Sequence, residues 1–259
     1  MNTYFEVEVR PEIPIASLIQ NDKTDLPFSA GDLFWDWQEF EVPGTVRLVS
    51  LTAIIRGEDG SPQTDRDLEL IFAKTKPGGT APISLGTPNA TVNGKGYVQQ
   101  SIGFLRVDIS DMSDYLDYYT VATIGAAGQD GSNRHLNIVM QPESTSRGAT
   151  SKHKLYVGGI AGASNTWDFS TGTLLNQAGN QAVSTTPATL TVDGTSALQS
   201  YCVGDVLAAA GGSAFKTVGT VTAVTDANTV VVDAVAEAFD DDLELVVINP
   251  ITLRLGFEA

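Results

Sequence analysis

Residues 218–233 read VGTVTAVTDANTVVVD, and the fold turns on how that stretch is understood. It is two runs of β-branched residues folded about Asp226-Ala227-Asn228. Valine and threonine lose side-chain freedom in a helix and suit a pleated, half-buried surface, whereas Asp and Asn bend the chain by bonding their own backbone. The stretch carries no group able to do acid–base or nucleophilic work. Segments of the same style surround it: ATLTVDG (188–194), YCVGDVLAAA (201–210), KTVGTVTAVT (216–225), NTVVVDAV (228–235) and LELVVI (243–248). Gly204-Asp205 and Gly211-Gly212 supply further turns. Residues 189–248 are therefore expected to form a small, acidic, five-stranded β-barrel-like module, an architecture that leaves no free edge to aggregate.

Working towards the N-terminus, the period of two persists. TYFEVEVR (3–10) sets Tyr4, Glu6 and Glu8 against Phe5, Val7 and Val9, and Pro11 stops it. FWDWQEFEV (34–42) alternates as well, with Phe34, Asp36, Gln38 and Phe40 on one side and Trp35, Trp37, Glu39 and Glu41 on the other. Pro43-Gly44 turns the chain into a long strand, 45–57, with Val46, Leu48 and Ser50 opposite Arg47, Val49 and Leu51. Further strands are expected at 68–75, 97–110, 119–126, 135–141 and 154–162, and DMSDYLDYY (111–119) reads as one helical turn capped by Asp111 or Ser113. Short strands at this spacing, with almost no helical period, predict an all-β protein. Residues 1–163 form a jelly-roll-like antiparallel sandwich and 164–188 a polar linker or extended arm. The last run, 249–259, resembles the first domain in its length and its Phe257, and is expected to return there.

Composition narrows the function classes. The 259 residues are 42% apolar and only 18% charged, which fits ordered β structure and not disorder. A formal charge of −16 argues against binding nucleic acid, because phosphate contact needs a basic footprint. Residues 185–259 concentrate this acidity, with ten acidic side chains against Lys216 and Arg254. No secretory signal is legible at the N-terminus, and no window is apolar enough to span a membrane. Cys202 is alone in an apolar context and reads as a buried, inert thiol.

No motif points to catalysis, a cofactor or a metal. His135 and His153 stand in polar contexts without acidic neighbours at ligand spacing. VNGKGYV (92–98) lacks the spacing of a phosphate-binding loop, and GGIAGAS (158–164) is not followed by a helix. Glu58, Asp59, Asp65 and Asp67, and separately Asp240, Asp241, Asp242 and Glu244, could approach calcium, but neither group follows the EF-hand order. The aromatic concentration at Phe34, Trp35, Trp37 and Phe40 is the strongest candidate surface. Such residues serve as core or as subunit-interface anchors, and alternate tryptophans can also stack on sugar rings.

Three features in the last hundred residues carry a resemblance: the Gly204-Asp205 turn, the Gly219-Thr220-Val221 strand, and the Asp-rich turn from Asp240 to Leu243. With YVGGIAGASNTWDFSTGTLL upstream, this part resembles virion structural proteins of tailed bacteriophages, notably those infecting cyanobacteria and other marine bacteria. The resemblance implies a capsid decoration (cement) protein. Such a protein would be non-enzymatic, would bind the major capsid protein or another virion protein, and would assemble as a homo-oligomer, with a trimer favoured. Its place would be the virion, assembled in the host cytoplasm. A tail, neck or fibre-attachment protein is the neighbouring reading, and a glycan-binding adhesion module is the rival from another class. An enzyme with a carboxylate pair comes last, because nothing in the spacing singles one out.

Overall fold

The computed structural model describes residues 3–57, 62–92, 95–115, 118–125, 136–146, 152–164, 166–169, 173–174, 180–193, 197–211 and 214–259. Strands dominate them. In chain order they are β1 (Tyr4–Val9), β2 (Leu33–Val42), β3 (Val46–Arg56), β4 (Arg66–Lys74), β5 (Ser101–Val107), β6 (Met112–Tyr115), β7 (Tyr119–Ile124), β8 (Ile138–Met140) and β9 (His153–Ser164). These are followed by β10 (Thr173–Leu174), β11 (Ala188–Thr191), β12 (Val206–Ala210), β13 (Lys216–Asp226), β14 (Thr229–Val232), β15 (Glu244–Val247) and β16 (Ile251–Glu258).

Two antiparallel sheets make the larger body. One runs β1-β16-β3-β7-β6, with β8 also on β3, and the other runs β2-β9-β4-β5. Successive strands switch sheets, except for the β4–β5 pair and the run β6–β7–β8, and the last strand lies between the first and the third. This is the strand order of a jelly roll, two Greek keys folded face to face. β16 is central: Val7 pairs with Leu255 on one side, and Leu255 with Leu51 on the other. Ile251, Leu253, Leu255 and Phe257 are wholly buried, and each such side chain contributes about 1.5–3 kcal/mol by leaving water.

Three of the breaks in the side-chain period decide which side chains enter the core, each with a local cause. On β3, Ser50 pairs with Gly256 and Leu48 with Phe257, so Val49 is an extra residue. That bulge puts both Leu48 and Leu51 into the core, where strict alternation had set them on opposite faces. Gly125, at φ +94°, lies over it, and a Cβ there would collide with the Val49 carbonyl. On β2, the pairing slips between Leu33 and Trp35 and again between Trp35 and Gln38. Trp35 thereby turns inwards beside Phe34 and Phe40, and its face is not shared with Glu39.

The glycines of β9 answer these bulges. Gly159 sits under the Trp35 ring and Gly158 under Trp37 and Leu85, at distances that leave no room for a Cβ. The Gly-rich run 158–164 is thus a bed for indole rings in a strand. The expected helical turn at 111–119 is also displaced: a single 3-10 turn occupies Ile109–Asp111, capped by Asp108 with Asp111 returning the bond, and Met112–Tyr115 are extended.

The segment expected to be a linker begins as core. Trp167 and Phe169 are fully buried against Phe28 and Phe34, with Phe28–Phe34 ring centroids 4.9 Å apart, and Trp167 exchanges backbone bonds with Phe28. Beyond it, between β9 and β16, the chain builds a second body with the strand order β10-β15-β12-β13-β14-β11. All five strands expected in 189–248 are present, and Thr173–Leu174 add a sixth. Val192, Leu207, Val218, Val230, Val232, Phe239 and Leu245 enclose a separate apolar core. Bulges at Leu207/Ala208 and along β13 curl this sheet around that core.

Candidate functional site

The two bodies meet over the outer face of the β1-β16-β3-β7-β6 sheet. The register dictates what stands there: Ile55, Leu253 and Leu255 point into the core, so their neighbours Ile54, Arg56, Thr252 and Arg254 point out. The turn Cys202–Asp205, leading into β12, roofs this face. Between them lies a cleft of about 260 Å³, walled by Arg10, Tyr115, Tyr119, Val203, Val247 and Pro250 as well.

A polar spine fixes the roof. Asp205 accepts from Arg56 at 3.2 Å and from the Cys202 amide at 2.8 Å. The Arg56 guanidinium also lies over the Tyr201 ring, 5.6 Å from its centre. Asn249 ties the turn at both ends, accepting from the Val206 amide at 2.8 Å and donating to the Gly204 carbonyl at 3.0 Å. Gly204 has φ +93°, and a Cβ there would strike the Arg10 guanidinium. The Gly-Asp turn that stood out in the sequence is therefore the joint between the bodies. Farther along, the Ile13 amide donates to Ile248 and Lys23 Nζ to the Asp242 carbonyl, each at 2.6 Å.

Burial pushes the Asp205 carboxyl above the usual aspartate range, against the pull of Arg56, the Cys202 amide and Arg10. The Tyr119 phenol is likewise raised, first by burial and then by its hydrogen bond to Cys202 Sγ at 2.8 Å. Cys202 itself is exposed, contrary to the buried thiol expected, because it tops the roofing turn rather than entering β12. On the floor, Glu8 takes the Nε of Arg10 at 2.8 Å and of Arg254 at 3.3 Å. Three of the protein's fifteen Lys and Arg residues thus converge on one cleft of a strongly acidic chain. Among the described residues Asp205 is the one acid lining it, so the arrangement suits binding through guanidinium and phenol groups.

The aromatic candidates lie elsewhere. Phe34, Trp35 and Phe40, expected at an interface, are buried in the sandwich core because the slips on β2 turn Trp35 inwards. Trp37 is half-buried on the outer face of β2. Its indole donates to the Ile83 carbonyl at 2.8 Å and its ring meets Tyr97 edge-on. The polar candidates are dispersed too. Asp67 is buried in an ion pair with Arg106, Asp65 pairs with Arg66, and Asp242 sits in a turn at φ +59°. Glu58, Asp59 and His135 lie outside the described residues, as do Asn93 and Gly94 of the lysine-containing glycine loop. His153 Nδ1 is 3.3 Å from the Glu143 carbonyl. Among the described residues, no three His, Cys, Asp or Glu side chains cluster as metal ligands. No helix among them is long and apolar enough to cross a membrane.

The cleft escaped sequence reasoning because its residues come from five separate segments. The one local signal was Gly204-Asp205 beside Cys202. Comparison with known proteins adds little: no protein-family model and no curated protein matches the chain. A solved chain from the atomic structure of Sulfolobus Turreted Icosahedral Virus aligns over 99% of this chain and 90% of its own, at 8% identity. Its TM-score is 0.15, and a likeness of that degree carries no argument.

Proposed function

We propose that this chain is a non-enzymatic virion structural protein that binds and stabilises the outer shell of a bacteriophage capsid. The reading is carried by a jelly roll whose last two strands are separated by a second β body, held to it by a hydrogen-bonded joint. Jelly rolls serve viral capsids, lectins and cupins. Two braced β bodies suit a part whose work is to present surfaces. Net charge of −16 keeps such a part soluble at high local concentration.

Homo-oligomer contact, with a trimer favoured, belongs on the outer face of the β2-β9-β4-β5 sheet. There Phe104 is 55% exposed and pairs in register with Ile71, which joins Leu33, Leu85 and Ile160 in a small apolar cluster. Exposed Ile83 and Val98 stand in the segment covering that cluster. The glycan-binding alternative has no such support, since Trp35 is interior and Trp37 is half covered. The test is particle stability. Phage particles made without this protein should release their DNA at a lower temperature than parental ones, and adding back purified protein should restore the difference. Equal release temperatures would refute the role.

A further inference from the structure

The cleft between the bodies has unspent binding capacity. Each guanidinium offers five donors, and Glu8 engages Arg10 and Arg254 through Nε alone. Among the described residues the terminal amino groups of Arg254 have no protein partner, and those of Arg10 point towards Gly204 at the cleft rim. Glu8 therefore acts as a brace that holds two arginines side by side with their forked ends open. Among the described residues, Arg10, Arg56 and Arg254 against Glu8 and Asp205 leave one net positive charge. That balance matches a monoanion and disfavours a dianionic phosphate.

The remaining walls are apolar or aromatic: Ile54, Val203, Tyr115 and Tyr119. Tyr115 and Val203 are 54% and 64% exposed, so hydrophobic surface at the mouth stands uncovered. A volume of about 260 Å³ lies just below the range of drug-sized pockets, which fits one aromatic group with its substituent. We propose that this cleft binds an aromatic carboxylate, with the carboxylate on the open ends of Arg254 and Arg10 and the ring against Tyr115, Tyr119 and Val203. The source is a free aromatic acid or the C-terminal aromatic residue of a protein chain. Arg–carboxylate pairing through parallel N–H bonds supplies orientation, and the rings supply area.

The test uses the full chain and three probes: N-acetyl-phenylalanine, its amide, which lacks the charge, and a short peptide ending in Phe. Binding is read by calorimetry and by the rate at which iodoacetamide alkylates Cys202, which is exposed at the cleft mouth. The acid should bind saturably and slow alkylation, the amide should bind about 10-fold more weakly, and Arg254→Gln should weaken the acid about 10-fold. Higher salt should weaken the acid and leave the amide unchanged. A peptide that outbinds the free acid identifies a chain terminus as the source, and the reverse identifies a small molecule. Equal binding of acid and amide, no saturation by either, or unchanged affinity in an Arg254→Gln protein of parental melting temperature would overturn the proposal.

Discussion

Replacing Arg56 with Met tests the joint between the bodies. The Arg56 and Asp205 side chains are only 9% and 14% exposed, and their contact distance is 3.2 Å. Removing one partner of a buried pair costs about 3–5 kcal/mol, because the other charge stays desolvated. Loss of the cation–π contact with Tyr201 adds about 0.5–1 kcal/mol. Asp205 has a way to limit the damage. Its folded-state pKa is already raised by burial, and without Arg56 it rises further. A raised carboxyl favours the native state below its unfolded pKa, and that contribution is lost as pH climbs through the folded pKa. Arg56→Met should therefore cost about 3–4 kcal/mol at pH 7 and distinctly less at acid pH, because burial favours the protonated Asp205 carboxyl. Asp205→Asn alone should cost about 2 kcal/mol, and the double variant at least about 1 kcal/mol less than the sum. Urea unfolding of all four proteins at both pH values measures this. Strict additivity, with the same cost at both pH values, would show that the pair is not the joint described.

Gly159→Val should destabilise by about 2–3 kcal/mol through collision with Trp35, and adding Trp35→Leu should recover part of it; a tolerated single substitution would place that ring elsewhere. Phe257→Ala, which empties a buried site stacked between Phe5 and Phe40, should cost about 3–5 kcal/mol in the same unfolding assay. Phe104→Asp should leave the melting temperature near parental while shifting the oligomer to monomer in light scattering. The Tyr156 phenol is pushed up to about 12 by burial and by Glu39. Its share of stability is thus intact below the free phenol's pKa and fades as pH rises through 12, a slope that Tyr156→Phe should remove from alkaline unfolding curves.

The strands were legible because hydrophobic alternation and turn residues are local quantities. The five segments of 189–248 and the run at 154–162 each contain a strand, although 201–210 becomes one only from Val206 and 228–235 only to Val232. What alternation missed was parity. A single extra residue at Val49, and the slips beside Trp35, reverse which side chains face the core, and such slips are settled by the pairing partner. Trp35 looked like a surface ring because Glu39 and Glu41 appeared on its face, and the signal to the contrary lay far along the chain in Gly158-Gly159. Polar flanks hid Trp167 and Phe169 in the same way. Cys202 was misjudged by its apolar neighbours, since Tyr201 turns inward to donate to the Leu245 carbonyl while the next residue tops a turn. The cleft was beyond reach of any local reading, because Arg10, Arg56, Asp205 and Arg254 meet only once the order β1-β16-β3 exists.

The central claim, a lattice-wide structural role on a phage head, is tested most directly by counting. Quantitative mass spectrometry of purified particles should find this protein in a fixed ratio to the major capsid protein, of the same order as the number of capsomer junctions. A copy number of about a dozen or fewer per particle, or its absence from the particle, would contradict the account.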